Sequence, residues 1–216
     1  MHITPIFPNV FAEEKLDIDN APILEHCKQL EKDGVAHDHF RPKGLNMSMD
    51  GGWQSGFIDL SHEALMPLIQ AIEERIEGFK QNIFMLREDC EVKIQNGWFN
   101  RMAPAFKDSI ELASVEPHRH ANYFLSFVYY VQADPGCGDL VIMPNDPSIE
   151  FMCPTAYHKE SNVYNSGRHR TEPKVGTLVA FPTWLMHMVG PNRSGTDRIS
   201  FAVNTKMPHI KDSYTL

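Results

Sequence analysis

The feature that most constrains the fold is a change of hydrophobic period near residue 88. Before it, Leu65, Leu68, Ile69, Ile72, Ile76 and Phe79 recur at the i, i+3, i+4, i+7 spacing of an amphipathic helix capped by Ser61. After it, Val92-Lys93-Ile94-Gln95 alternates, and short apolar runs recur at 110–115, 124–131, 139–143, 175–181 and 198–203. Turn clusters such as Asp134-Pro135-Gly136 and Arg193-Ser194-Gly195-Thr196-Asp197 separate them. A first helix is expected between Asn20, as N-cap, and Gly34, with Pro22 in its first turn. Residues 3–11, broken by two prolines, suit an edge strand or extended arm. Two helices followed by about eight short strands predict an α+β, mainly β fold, in which helices cover one face of a double-sheet barrel.

The 216 residues fit a single domain. Residues 1–88 are expected to form a helical support and loop, 89–206 the β core, and 207–216 a tail. The glycine- and serine-rich stretch 35–58 has the length and composition of a lid or substrate loop. A net charge of -8 and a pI near 5.7 argue against binding to nucleic-acid phosphates. No apolar run approaches the ~18–20 residues of a membrane span, and no signal-peptide pattern is seen, so a cytoplasmic protein without membrane contact is expected. Cys27, Cys90, Cys137 and Cys153 are scattered, which predicts reduced, packed thiols. Composition leaves the oligomeric state open, a homodimer included.

The candidate chemistry begins at Glu116-Pro117-His118-Arg119-His120, at the mouth of the run Tyr123–Val131. In a strand, residues i and i+2 face one side, so His118 and His120 are expected to share a cavity, as a transition metal requires. Three protein ligands are the usual minimum. The third candidate is His187, 67 residues after His120, behind the buried strand Gly176–Phe181 and the turn at Pro182. Eleven residues further on, Arg198, Ser200, Ala202 and Asn204 share one strand face, and Ile199, Phe201 and Val203 the other. A guanidinium pointed inward needs an anion, and arginine holds carboxylates in bidentate fashion. The alternative for Arg198 is a surface position or a salt bridge.

Taken in order, His118-x-His120, Ser126-x-x-Tyr129-Tyr130, Phe181-Pro182-x-x-Leu185-x-His187-x-Val189 and Arg198-x-Ser200-x-x-x-Asn204 resemble the Fe(II)- and 2-oxoglutarate-dependent dioxygenases. The pattern is closest to the prolyl-hydroxylase-like branch and its 2OG-Fe(II) oxygenases of bacteria and phages, over roughly residues 98–204. The resemblance implies a double-stranded β-helix, or jelly roll, holding Fe(II) and 2-oxoglutarate, with O2 as oxidant and ascorbate as a supporting reductant. It implies hydroxylation of a small molecule or a protein side chain, with release of succinate and CO2. By position, His118 and His187 match metal ligands, and Arg198 with Ser200 matches the clamp on the distal carboxylate of 2-oxoglutarate. Where most of the superfamily has a carboxylate, this chain has His120; either His120 ligates or an acid such as Glu116 does. Strand parity adds Asn122, Ser126 and Tyr130 as inward candidates for the keto acid, unless a bulge turns Tyr129 inward instead. Trp98 is expected near the pocket and Trp184 in the core. A cupin-like metal-binding protein, or a metal enzyme that does not use 2-oxoglutarate, is the alternative.

Overall fold

The computed structural model describes all residues except 3, 7, 36–51, 105–113, 145, 147, 161, 163 and 208–216, and omits the side chains of 150 and 155. Along the chain run β1 (Ala12–Lys15), α1 (Asn20–Lys32), β2 (Gly52–Gln54), α2 (Met66–Gly78), β3 (Lys93–Met102), β4 (Val115–His118) and β5 (Leu125–Gln132). There follow β6 (Leu140–Ile142), α3 (Ser148–Met152), β7 (His169–Thr171), β8 (Thr177–Pro182), β9 (His187–Val189) and β10 (Arg198–Lys206). The strands form two antiparallel sheets, a larger one in the order β1-β8-β5-β10-β3-β2 and a smaller one in the order β4-β9-β6-β7. This is the expected α+β jelly roll, a double-stranded β-helix with helices on one sheet. Among the described residues no helix is long and apolar enough to cross a membrane.

Alternation along the central strands builds two cores. On the outer face of the larger sheet, Phe99, Phe127, Tyr129, Leu178, Phe201 and Val203 meet Ile23 and Cys27 of α1 and Leu68, Ile72 and Ile76 of α2. The helical stripe predicted from Leu65 to Phe79 is therefore the face that lies on the sheet. Between the sheets, Met102, Tyr130, Cys137, Leu140, Ile142, Val179, Phe181 and Leu185 pack together. The thiols are free, as expected. Cys27 and Cys137 are buried, and burial pushes the Cys27 thiol up to about 12; Cys153, by contrast, is exposed.

Several boundaries depart from the sequence reading. The N-terminal segment is more than a helical support, because β1 and β2 complete the two edges of the larger sheet. The edge strand lies at Ala12–Lys15, just past the proline-broken stretch. Asp19, not Asn20, caps α1 by accepting the Ala21 N–H at 3.0 Å. Asn20 is instead a tether between helix and sheet, since its Oδ1 accepts from the Tyr129 hydroxyl at 2.7 Å and its Nδ2 donates to the Val131 carbonyl at 3.2 Å. Ser61 does not cap α2: its N–H and hydroxyl both donate to Asp59, and the cap of the short 3-10 turn before α2 is His62. The anticipated strand at 110–115 lies mostly outside the described residues; β4 begins at Val115. Most of the expected loop at 35–58 is likewise outside them.

Candidate metal centre

Three connections bring the histidines together. β4 pairs with β9 in a register that sets His118 directly opposite His187. His120 is no longer in a strand; its N–H donates to the Thr183 carbonyl at 3.1 Å, in the turn that joins β8 to β9. That turn is anchored by the Thr183 N–H on the Phe124 carbonyl at 3.0 Å and the Thr183 hydroxyl on the Tyr123 carbonyl at 2.6 Å. The His-x-His pair therefore bridges the sheets at the end of β4, and does not continue into β5 as alternation alone suggested. Ring centroids lie 4.2 Å (His118 to His187), 5.0 Å (His120 to His187) and 5.1 Å (His118 to His120) apart. One nitrogen from each ring falls within 4.8 Å of the others.

Each ring has its other nitrogen committed. His118 Nδ1 donates to the Glu116 carbonyl at 2.8 Å, and His187 Nδ1 to the Leu185 carbonyl at 2.9 Å. A carbonyl only accepts, so these rings carry their proton on Nδ1 and keep a lone pair on Nε2. His120 Nδ1 donates to Asn204 Oδ1 at 2.8 Å, which also accepts the Ser126 hydroxyl at 2.8 Å. Three Nε2 lone pairs are thus presented, each backed by a hydrogen bond of the kind that orients metal-binding imidazoles. Burial holds His118 below its usual range, His120 at about 4 and His187 at about 3, so all three are neutral near pH 7. In the last two, a neighbouring imidazole adds to the burial effect. The donor set and its protonation suit a divalent transition metal. Glu116 is exposed and joins the site through its carbonyl alone, so among the described residues the cluster holds histidines only.

A second polar group lies on the inner face of the larger sheet. Arg198 is 2% exposed and has no carboxylate partner among the described residues. Its Nη1 reaches the Ser200 hydroxyl at 3.3 Å and Met102 Sδ at 3.6 Å, its Nε has no partner among the described residues, and the guanidinium lies 5.2 Å from the Tyr130 ring centroid. The Tyr130 hydroxyl is buried without a partner, and burial pushes it up to about 12. A buried cation and a hydroxyl left in this state are costly unless an anion meets them. A dicarboxylic keto acid supplies that anion, so the residues fit 2-oxoglutarate. Register pairs Ser200 with Tyr130 and Asn204 with Ser126, so the strand face that carries Arg198 also carries the residue holding His120.

The parity reading holds for Tyr130, which faces inward, while Tyr129 faces α1. It fails for Asn122, which is exposed in a turn at φ +68° and does not join Arg198, Ser200 and Tyr130. A left-handed turn breaks the alternation that would have pointed it inward. Trp98 lies 5.9 Å from the His120 ring, as expected, whereas Trp184 is 40% exposed and not core. Parity turns Ser126 inward and strand face places Asn204, but sequence reasoning does not reach their hydrogen bonds at His120. The signal was available, since β5 and β10 put both residues on the histidine side.

The family model described as "Putative 2OG-Fe(II) oxygenase" matches residues 98–204. A prolyl-4-hydroxylase from Pseudomonas putida superposes with a TM-score of 0.62 at 17% identity, over 91% of this chain and 92% of that one. A prolyl hydroxylase from Trichoplax adhaerens, in complex with a hypoxia-inducible factor oxygen degradation domain peptide fragment, gives 0.62 at 12% identity, over 91% and 83%. The non-haem α-ketoglutarate-dependent epimerase SnoN from nogalamycin biosynthesis gives 0.62 at 14%, over 92% and 77%. These likenesses are of fold. A search of curated proteins by sequence returned no match. Residues 98–204, just under half of the chain, are thus similar to the 2OG-Fe(II) oxygenases, and the fold is the one these structures share. Fe(II), 2-oxoglutarate and O2 are the cofactors this likeness implies, and the three histidines and the buried arginine fall inside the matched stretch.

Proposed function

We propose that the protein hydroxylates an organic substrate, with His118, His120 and His187 holding the iron and Arg198, Ser200 and Tyr130 holding 2-oxoglutarate. One observation carries this reading: a buried guanidinium without an acidic partner among the described residues lies on the same strand face as Asn204, which holds His120 of the three-histidine cluster. Bound iron and 2-oxoglutarate supply the oxidising chemistry, in which the keto acid becomes succinate and CO2 and one atom of O2 enters a substrate C–H bond.

The chain's own residues prepare that chemistry. Three neutral imidazoles would hold the metal and leave its charge to be offset by the dianionic co-substrate. Arg198 would meet the distal carboxylate through charge-assisted hydrogen bonds, and Ser200 and Tyr130 would add hydroxyl donors. Phe181, its ring 4.8 Å from that of His187, with Leu185 and Val189, forms an apolar wall that keeps water from the reacting groups. Asn204 fixes the plane and tautomer of His120. The names of the structural relatives include both a peptide ligand and natural-product biosynthesis, so a protein side chain and a small molecule both suit the substrate.

The test is succinate formation from 2-oxoglutarate with Fe(II) and ascorbate, for wild type, His187→Ala and Glu116→Gln. Turnover lost in the first variant and kept in the second is the expected result. Turnover that survives His187→Ala would overturn the ligand assignment.

A further inference from the structure

Beside the metal centre, on the side of His120, lies an open cleft of about 710 Å³. Ala121, which directly follows His120, and the next residue, Asn122, form one wall; Phe57 and Leu60 form the other. Phe57 lies 6.0 Å from Trp98, whose ring in turn lies 5.9 Å from that of His120. Asn96 also lines the cleft, and β3 pairs it with Asn204, the residue that holds His120. The cleft and the metal centre are therefore neighbours, joined through the paired residues Asn96 and Asn204.

Asn96 is 7% exposed. Its Nδ2 donates to the Tyr123 hydroxyl at 2.8 Å, but its Oδ1 is buried and has no partner among the described residues. A carboxamide acceptor left in this state is costly unless a donor reaches it. Lys206, at one end of the cleft, has no ion-pair partner among the described residues. Asp59, the only acid in the lining, already accepts the N–H and hydroxyl of Ser61. The cleft thus offers an acceptor, an aromatic and aliphatic wall, and a cation.

We propose that this cleft seats the prime substrate, and that the substrate is a compound donating an uncharged N–H or O–H to Asn96 Oδ1, with an apolar or aromatic body along Phe57 and Leu60 and an anionic end at Lys206. This rests on the metal-centre reading for the word "substrate", but the ligand class is tested without iron. N-acetyl-L-phenylalanine has all three features. Its N-methyl form lacks the N–H, and N-acetyl-L-phenylalaninamide lacks the anion.

Calorimetric titration of the full metal-free chain should show the parent probe binding about tenfold more tightly than its N-methyl form, as expected for one hydrogen bond to an otherwise unmet acceptor. Asn96→Leu should erase that difference, and Lys206→Met should erase the preference for acid over amide. Because the first comparison uses wild type alone, it stands even if a variant misfolds. With Mn(II) in the metal centre, the proton resonances of the bound probe should broaden, and His187→Ala should abolish the broadening. Equal affinity for the N–H and N-methyl probes, no binding at millimolar concentration, or no broadening with Mn(II) bound would each overturn the proposal. Probe discrimination without iron-dependent succinate formation would support the cleft's ligand class and sink the oxygenase site reading. Succinate formation with no probe discrimination would do the reverse.

Discussion

Arg101 and Arg198 lie at the same end of two paired strands, yet the chain treats them differently. Arg101, on the outer face of β3, is clamped by Glu31 of α1, with Nη2 to Oε1 at 2.6 Å and Nε to both carboxylate oxygens at 3.0 Å. That pairing holds its guanidinium above the usual range. Arg198 faces inward among Met102, Ser200 and Tyr130, more deeply buried and without any acid within reach among the described residues. Around Arg101, polar groups tie a helix to a sheet, and stability explains them. Around Arg198, burial leaves an arginine Nε and a tyrosine hydroxyl unmet, and stability does not explain them. The two faces of the larger sheet divide in the same way, one closed by α1 and α2 and the other carrying the buried polar groups left unmet.

The sharpest way to break this division is at the metal. His187→Ala should cut iron-dependent succinate formation more than about 100-fold, with the protein still folded by circular dichroism, because one of three ligands is lost. Phe201→Ala, on the outer face of β10, should do the opposite. It empties a fully buried site and should cost about 3–5 kcal/mol, read as a lower urea midpoint. Next comes the pair of arginines. Arg198→Met should raise the KM for 2-oxoglutarate by roughly 30-fold or more and leave stability equal or higher, as when an unmatched buried charge gives way to an apolar side chain. Arg101→Met should lower stability and leave that KM unchanged. If Arg198→Met costs as much stability as Arg101→Met and spares the KM, the inner face is structural.

Much of this division could be read from alternation. In β10, Arg198, Ser200 and Asn204 separate from Ile199, Phe201 and Val203 by parity, and in β5 the same rule turns Tyr130 inward and Tyr129 outward. Eight strands in the β half were anticipated, but β7 has three residues, too few for a period to emerge, and α3 has five. Asn122 escaped because a residue other than glycine at φ +68° gives no signal in apolar spacing. Asn20 and Ser61 both look like helix caps, and each is diverted by another partner, the distant Tyr129 for Asn20 and Asp59, two residues earlier, for Ser61. Nor does sequence tell that His118 and His187 face one another across β4 and β9, because strand pairing joins residues far apart in the chain.

Smaller effects test how far the support extends. Asn204→Ala removes the acceptor from His120 Nδ1 and from Ser126, so it should weaken Fe(II) binding about 10- to 100-fold in an anaerobic titration. The KM for 2-oxoglutarate, measured at saturating iron, should stay near wild type. An equal rise in both would make Asn204 a general packing residue and not a positioning one.

The finest test uses neighbouring tyrosines. Tyr130→Phe deletes a buried hydroxyl that has no protein partner, so stability should be unchanged or slightly higher, while the KM for 2-oxoglutarate rises about three- to tenfold through loss of one hydrogen bond. Tyr129→Phe deletes a hydroxyl bonded to Asn20 at 2.7 Å, so it should cost about 1 kcal/mol of stability and leave the KM alone. The two substitutions remove the same atom one residue apart, and the sheet between them decides which property changes. If both lower stability equally and neither moves the KM, the Tyr130 hydroxyl plays no part in holding the keto acid, and Arg198 and Ser200 must hold it alone.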